Sequence, residues 1–295
     1  MGAPWQDHPS WELVERVSDA SGRDVAGLLL DAGPEVLRAT RNAQLATFAF
    51  SVVALDAALR GPLAGVPAEN WAGTAGHSLG EYSALVAAGA VAAEDAASLV
   101  QARAEAMQAA AEASPGTMAA VLGIGLGELL EVCARTAGAW VANDNAPGQV
   151  VIAGTLEGVS EAGELALGAG AKRVIPLQVG GAFHTPLMEP AQHSLDGALE
   201  RVDFASARCP LVSNVDAKAH RDGFGGLLSA QLCSRVRWRE SLEALAGGGG
   251  DLFVELGPGT EMSGMVRRAV PDASRANVAV PGDLARLGEA LSALG

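Results

Sequence analysis

The sequence predicts an α/β protein in two parts. A parallel-sheet core spans 1–116 and 178–295, and a ferredoxin-like unit of order βαββαβ is inserted over 117–177. Three observations predict this. Gly76-His77-Ser78-Leu79-Gly80 lies between a short, largely uncharged run (Glu69 to Ala75) and an Ala-, Leu- and Val-rich run (Leu79 to Ala88), which is a strand–turn–helix pattern. Residues 117–177 alternate strand-like and helical patterns in the order of a split βαβ unit. The last third then returns to alternating strands and helices.

Residues 1–40 read as polar and helical, with Trp11, Val14 and Val17 at helical spacing and Ala32-Gly33-Pro34 as punctuation. A long apolar helix follows from Asn42 to Arg60 and stops at Gly61-Pro62. The first convincing strand comes only near residue 71. The next helix covers 94–113, with Ala96, Val100, Arg103, Met107 and Ala110 on one stripe. In the insert, Met118–Leu122, Ala139–Asn143, Gln149–Ala153 and Arg173–Leu177 read as strands. Glu128–Thr136 and Glu157–Leu167 read as helices. A strand from Gln178 runs into Gly180-Gly181, and a helix starts near Pro186. Leu211–Val215 and Asp251–Leu256 are strands, Leu227–Leu232 is helical, and 284–294 is a closing helix.

At 295 residues, 49% hydrophobic and 18% charged, the chain can bury a sizeable core. No run of 18 apolar residues lacks a charge or glycine, so no membrane span is expected. Met1-Gly2-Ala3-Pro4-Trp5 offers no signal-peptide pattern. Cys133, Cys209 and Cys233 are widely spaced and read as buried free thiols of a cytoplasmic protein. A net charge of −14 argues against nucleic acid as partner. No motif implies a metal or a permanently bound cofactor.

Three positions carry chemistry. In a nucleophile elbow, Gly76 and Gly80 let strand and helix approach, Ser78 takes the strained backbone, and the helix N-terminus faces the reacting carbonyl oxygen. Arg103 on an apolar stripe is either a snorkelling or ion-paired side chain, or a fixed guanidinium awaiting a carboxylate. Five histidines are present. His77 adjoins Ser78 and points elsewhere; His8, His193 and His220 sit among polar residues. His184, on a loop between two elements, is the best general base.

Gly76-His77-Ser78-Leu79-Gly80-Glu81-Tyr82 resembles the active-site stretch of the malonyl-CoA:acyl-carrier-protein transacylases. Further similar stretches are Asn145 to Gly154, Ala182-Phe183-His184, the region of Gln231, and Asp251 to Gly259. The resemblance covers about residue 1 to 294 and implies a core like that of the α/β hydrolases. It implies Ser78 as nucleophile, His184 as base, and Gln231 as the residue whose main-chain carbonyl orients the histidine. It further implies the Leu79 N–H as oxyanion donor, Arg103 on the malonate carboxylate, and Asn145 near the substrate. Phe183 matches the malonyl-selective version, whereas versions taking methylmalonyl typically carry Ser. The substrates implied are malonyl-CoA and phosphopantetheinylated acyl carrier protein, handled by a monomer in fatty acid or polyketide synthesis. An acidic enzyme meeting an acidic carrier needs a local basic patch, for which Arg267-Arg268 and then Lys172-Arg173 are candidates.

One departure stands out. The family opens with a strand ending in a Gly-Gln-Gly loop, whose Gln N–H supplies half of the oxyanion hole, and neither is in this sequence. Either the start is placed too late or this is a truncated form, and the expectation for the chain as given is marginal stability and little activity. The alternatives are a serine hydrolase or thioesterase of the same architecture, or an impaired carrier-binding relative.

Overall fold

The computed structural model describes residues 1–294. Two 3-10 turns lead into α1 (Glu12–Ser21), α2 (Val25–Leu30), α3 (Pro34–Arg38) and α4 (Thr40–Arg60). Leu13, Val14 and Val17 form the buried face of α1, and Gly22 ends it in the left-handed conformation at φ 66°. Asp24 caps α2 by accepting from the Gly27 N–H. Helix α4 is buried nearly all round, as expected of a central core helix. It is long and apolar enough to cross a membrane, yet 78% of its most apolar window is buried inside the protein.

Two helices follow, α5 (Gly80–Ala87) and α6 (Ala93–Ala113). The expected stripe of α6 faces inward: Ala96, Val100, Arg103, Met107 and Ala110 are all buried. Helix α4 packs on it, with Phe48, Val52 and Leu45 in the same apolar cluster as Val100 and Met107.

The insert comprises β1 (Thr117–Leu122), α7 (Leu126–Arg135), β2 (Ala139–Ala146), β3 (Gln149–Gly154), α8 (Leu156–Gly168) and β4 (Arg173–Pro176). Its strands pair antiparallel in the order β2-β3-β1-β4. One face of this sheet packs Val121, Val150 and Ile152 against Leu129, Val132 and Val159 of its helices. The other face presents Met118, Ala142, Val151 and Ala153 to Ala182 and Phe183 of the core.

The remainder is α9 (Glu189–Leu199), β5 (Leu211–Val212), β6 (Ala219–His220), α10 (Phe224–Gln231), α11 (Trp238–Gly247), β7 (Leu252–Leu256), α12 (Glu261–Ala269), β8 (Ser274–Val278) and α13 (Asp283–Ser292). Among the described residues, parallel pairing within the core is confined to β7 with β8 and to a bridge between Thr74 and Leu211, and a second parallel bridge joins Val236 of the core to Asn143 of the insert. The strand expected near residue 71 is reduced to the Thr74 bridge. Thr74 exchanges hydrogen bonds with Pro210 and Val212 along one edge only. The run from Gln178 forms no strand, and the strand expected over Leu211–Val215 is cut to two residues by its turn into β6. Strand β7 has one strand partner among the described residues, and its side chains are only half-buried.

Insert and core are fastened along β2. The Asp144 N–H donates to the Val236 carbonyl at 2.9 Å, and the Val236 N–H to the Ala142 carbonyl at 2.8 Å. The buried Asp144 carboxylate accepts from Arg239 Nε at 3.0 Å and pairs with its Nη2 at 2.9 Å. These contacts tie β2 of the insert to Val236 and Arg239 of the core.

Candidate active site

The elbow is built on Gly76. A Cβ there would lie 1.9 Å from the backbone of Gly80, so only glycine lets the two segments touch. Gly80 itself would meet nothing if it carried a Cβ, so the close approach depends on Gly76 alone. Ser78 adopts φ 51°, a left-handed conformation that a serine holds only when its surroundings over-determine it. Asn214, fully buried after β5, supplies that restraint. Its Oδ1 accepts from the Ser78 N–H at 2.7 Å and its Nδ2 donates to the Gly76 carbonyl at 2.9 Å.

His184 sits on the loop before the 3-10 turn Pro186–Met188, 5% exposed, with φ 62°. Its Nε2 lies 2.8 Å from Ser78 Oγ, and its Nδ1 lies 2.9 Å from the main-chain carbonyl of Gln231 at the end of α10. A carbonyl can only accept, so Nδ1 carries the proton and Nε2 presents a lone pair to the serine hydroxyl. Burial first, and then the Arg103 cation, pull the imidazole down to about 3. The ring is therefore neutral at ordinary pH, the state a base requires.

Arg103 reaches the same point from α6. It is 1% exposed and makes no ion pair among the described residues. Nη2 donates to Ser78 Oγ at 2.9 Å and to Gln231 Oε1 at 3.1 Å, Nη1 donates to Gln44 Oε1 of α4, and Nε has no partner. The guanidinium also stands 5.6 Å over the Tyr82 ring. Neutral groups thus orient a buried cation without neutralising it, and burial lowers its pKa.

A cleft of about 420 Å³ opens onto these groups, within the range of small-molecule sites. Ser78, Leu79, Arg103, Phe183 and His184 line it, together with Gln44, Met107, Met118, His77 and Asn143. The Leu79 N–H makes no hydrogen bond among the described residues and is free for an oxyanion. Gln231 is fully buried behind the cleft.

Two positions differ from expectation. Asn145 does not line the cleft; its Oδ1 lies 2.8 Å from His77 Nε2, and Asn143 faces the cleft instead. Strand β2 carries two register shifts, between Val141 and Asn143 and between Asp144 and Ala146, so strict alternation fails there. His77, expected to point away, lines the cleft and packs edge-on against Trp238. Sequence reasoning missed Gln44, Asn214 and the Gln231 side chain. Gln44 and Asn214 are lone amides outside any motif, the expectation for Gln231 concerned its main-chain carbonyl alone, and only the fold brings these amides to the site.

A family model described as "Acyl transferase domain" matches residues 9–289. A malonyl CoA-acyl carrier protein transacylase of Bacillus subtilis (strain 168) is 39% identical over 262 residues, covering 87% of this chain and 81% of that one. The crystal structure of an acyl-carrier-protein S-malonyltransferase from Burkholderia pseudomallei 1710b superposes with a TM-score of 0.91 at 36% identity, covering 97% and 94% of the two chains. A malonyl-transacylase solved in complex with its type II PKS acyl-carrier protein superposes at 0.90 with 33% identity, covering 98% and 94%.

Proposed function

The chain belongs to the acyl transferase family, among its malonyl CoA-acyl carrier protein transacylases, and from that premise we infer how its cleft carries a malonyl group from malonyl-CoA to the thiol of acyl carrier protein. The observation that carries the reading is the buried Arg103 guanidinium, unpaired by any carboxylate among the described residues and 2.9 Å from Ser78 Oγ. Malonyl-CoA brings the missing carboxylate, and the thioester carbon then falls beside the serine.

Ser78 Oγ attacks that carbon while His184 Nε2 takes its proton. The carbonyl oxygen gains charge, and the free Leu79 N–H is the donor available to it. The C–S bond breaks, and coenzyme A leaves as a thiol with the proton held by His184. The carrier's phosphopantetheine thiol repeats the sequence in reverse, giving its proton to His184 and releasing Ser78. The Gln231 carbonyl keeps His184 in the required tautomer throughout. A thioesterase would gain from an acidic residue behind the histidine, and a neutral carbonyl occupies that place.

Malonyl loading of this kind serves fatty acid or polyketide synthesis. The free thiols of Cys133, Cys209 and Cys233 support a reducing, cytoplasmic setting. Carrier docking is supported by basic residues at one end of the insert sheet. Arg268 bonds Gln149, Gln149 pairs across β3 and β1 with Leu122, and Leu122 pairs with Arg173 on β4. Arg268 and Arg173 therefore lie at the same end of the insert sheet, and all four side chains of the candidate basic pairs, Arg267-Arg268 and Lys172-Arg173, are exposed.

Exposure to malonyl-CoA followed by mass spectrometry should place a malonyl ester on Ser78 and release coenzyme A in a burst. Ser78→Ala should abolish both, and His184→Ala should slow acylation by several powers of ten. An adduct on Cys133, Cys209 or Cys233 instead would sink the assignment.

A further inference from the structure

Glu81 is the second residue of α5, three positions past Ser78, and is completely buried. A carboxyl group without solvent needs partners, yet Glu81 belongs to no ion pair among the described residues. Its Oε2 accepts from Gln231 Nε2 at 2.5 Å and from the Asn214 N–H at 3.4 Å, while Oε1 has no partner. Both donors belong to residues that hold the reacting groups.

Gln231 touches all three of those groups. Its Nε2 also donates to the Ser78 carbonyl at 3.0 Å, its Oε1 accepts from Arg103 Nη2 at 3.1 Å, and its main-chain carbonyl faces His184 Nδ1 at 2.9 Å. A side-chain amide can be turned end for end, and something must choose the orientation. The Glu81 acceptor makes the choice. It takes one N–H of the amide, the Ser78 carbonyl takes the other, and the oxygen is left facing the guanidinium. Turning the amide would set its NH₂ against Arg103 and its oxygen against two acceptors.

We propose that Glu81 is a positioning residue that locks the Gln231 side chain, and through it sets Arg103, His184 and the Ser78 elbow in one arrangement. The inference rests on the acyl-transfer reading of the site. Glu81 does not line the cleft. Its effect is on geometry: misplacing reacting groups by about an ångström costs up to about a hundredfold.

The test uses Glu81→Met, which keeps the length of the side chain without the acceptor, and Glu81→Gln, which keeps an acceptor oxygen. Protein labelled with ¹⁵N-histidine reports the His184 ring independently of turnover, and quenched reactions with malonyl-CoA report Ser78 acylation. Glu81→Met should shift the His184 ring resonances and slow acylation between about tenfold and a hundredfold. Glu81→Gln should restore most of both. In a Gln231→Ala background, Glu81→Met should cost little more, because its effect runs through the amide.

Wild-type His184 resonances and acylation in folded Glu81→Met would overturn the proposal, as would losses that add to those of Gln231→Ala. If Glu81→Met does not fold, Glu81→Asp withdraws the acceptor from Gln231 and is judged by the same outcomes. Failure of the wild-type chain to acylate would refute the acyl-transfer reading, while the His184 resonances would still judge Glu81.

Discussion

Arg103 Nη2 donates to the Oγ of Ser78 at 2.9 Å, so the cation and the nucleophile share a hydrogen bond before any substrate arrives. The bond opposes attack by the serine, because it occupies a lone pair of the attacking oxygen. A carboxylate entering the cleft competes for the same guanidinium face with a stronger, charge-assisted bond. Binding of a dicarboxylic acyl group thus frees the serine as it anchors the substrate.

Arg103→Ala should therefore depress malonyl transfer far more than acetyl transfer. Removing one partner of a buried, hydrogen-bonded charge pair costs about 2–5 kcal/mol, or roughly 30-fold to several-thousand-fold in kcat/KM. Acetyl-CoA has no carboxylate to lose, so its transfer should hold or improve. Arg103→Lys should recover only part of the malonyl activity, because the planar fork is gone. The measurement is kcat/KM for both thioesters. An equal loss for both would make Arg103 a structural residue.

The pH dependence of acylation follows from two buried groups. His184, pulled down to about 3, stays neutral through the working range and lends no inflection near its ordinary 6.5. Burial pushes Glu81 up to about 7, against the hydrogen bond from Gln231 and the charge of Arg103. The charged or titratable groups bearing on Glu81 are Arg103 from α6 and Tyr82 from its own helix. Wild type should then show at most one inflection, near 7, as Glu81 ionises. Single-turnover acylation in Glu81→Gln should be flat from about pH 5 to about pH 8. An inflection near 6.5 surviving in that variant would mean His184 titrates normally and is not the buried neutral base.

The elbow, Arg103 and His184 were legible in the sequence because each carries a local signal. Gly76 and Ser78 stand in a strand–turn–helix pattern, Arg103 interrupts an apolar stripe, and His184 follows a Gly-Gly loop. What encloses them was not legible. Gln44 lies 59 positions from Arg103, and Asn214 lies 136 positions from Ser78, with nothing in their neighbours to mark either amide. The positive φ of His184 is likewise invisible, since no glycine occupies the position. Most of the insert's strands match the sequence expectation to within a residue because they are short apolar runs, whereas β2 runs on through Asn143, Asp144 and Asn145 to Ala146, where polar residues hide it. The core strands at Thr74 and Leu211 were overextended, because apolar pattern reports burial and does not report whether a second strand lies alongside.

Phe183 should set the limit on acyl width. It lines the cleft with Ser78 and packs with Met118 of the insert sheet and Ala182, so its ring fills space beside the acyl site. Phe183→Ser should admit methylmalonyl-CoA by opening room for one methyl, which is worth about 10- to 200-fold in relative kcat/KM. Malonyl transfer should change less, since Arg103 and His184 are untouched. An unchanged ratio between the two thioesters would place the size filter elsewhere in the cleft.

Carrier docking gives the remaining prediction. At net charge −14 the surface as a whole repels an acidic carrier, so association depends on local positive charge. Arg173 and Gln149 flank Leu122 on neighbouring strands, and Arg268 bonds Gln149 from the opposite side. With strands about 4.8 Å apart, Arg173 and Gln149 lie about two strand spacings from each other, and Arg268 adds its charge at Gln149, so both basic pairs stand at one end of the sheet. Reversing both charges, Arg267→Glu with Arg268→Glu, should raise KM for acyl carrier protein by about tenfold at low salt, the sum of two exposed charge contacts. KM for malonyl-CoA should not move, and the effect should shrink as salt rises. A parallel rise for both substrates, insensitive to salt, would mean that this face does not receive the carrier.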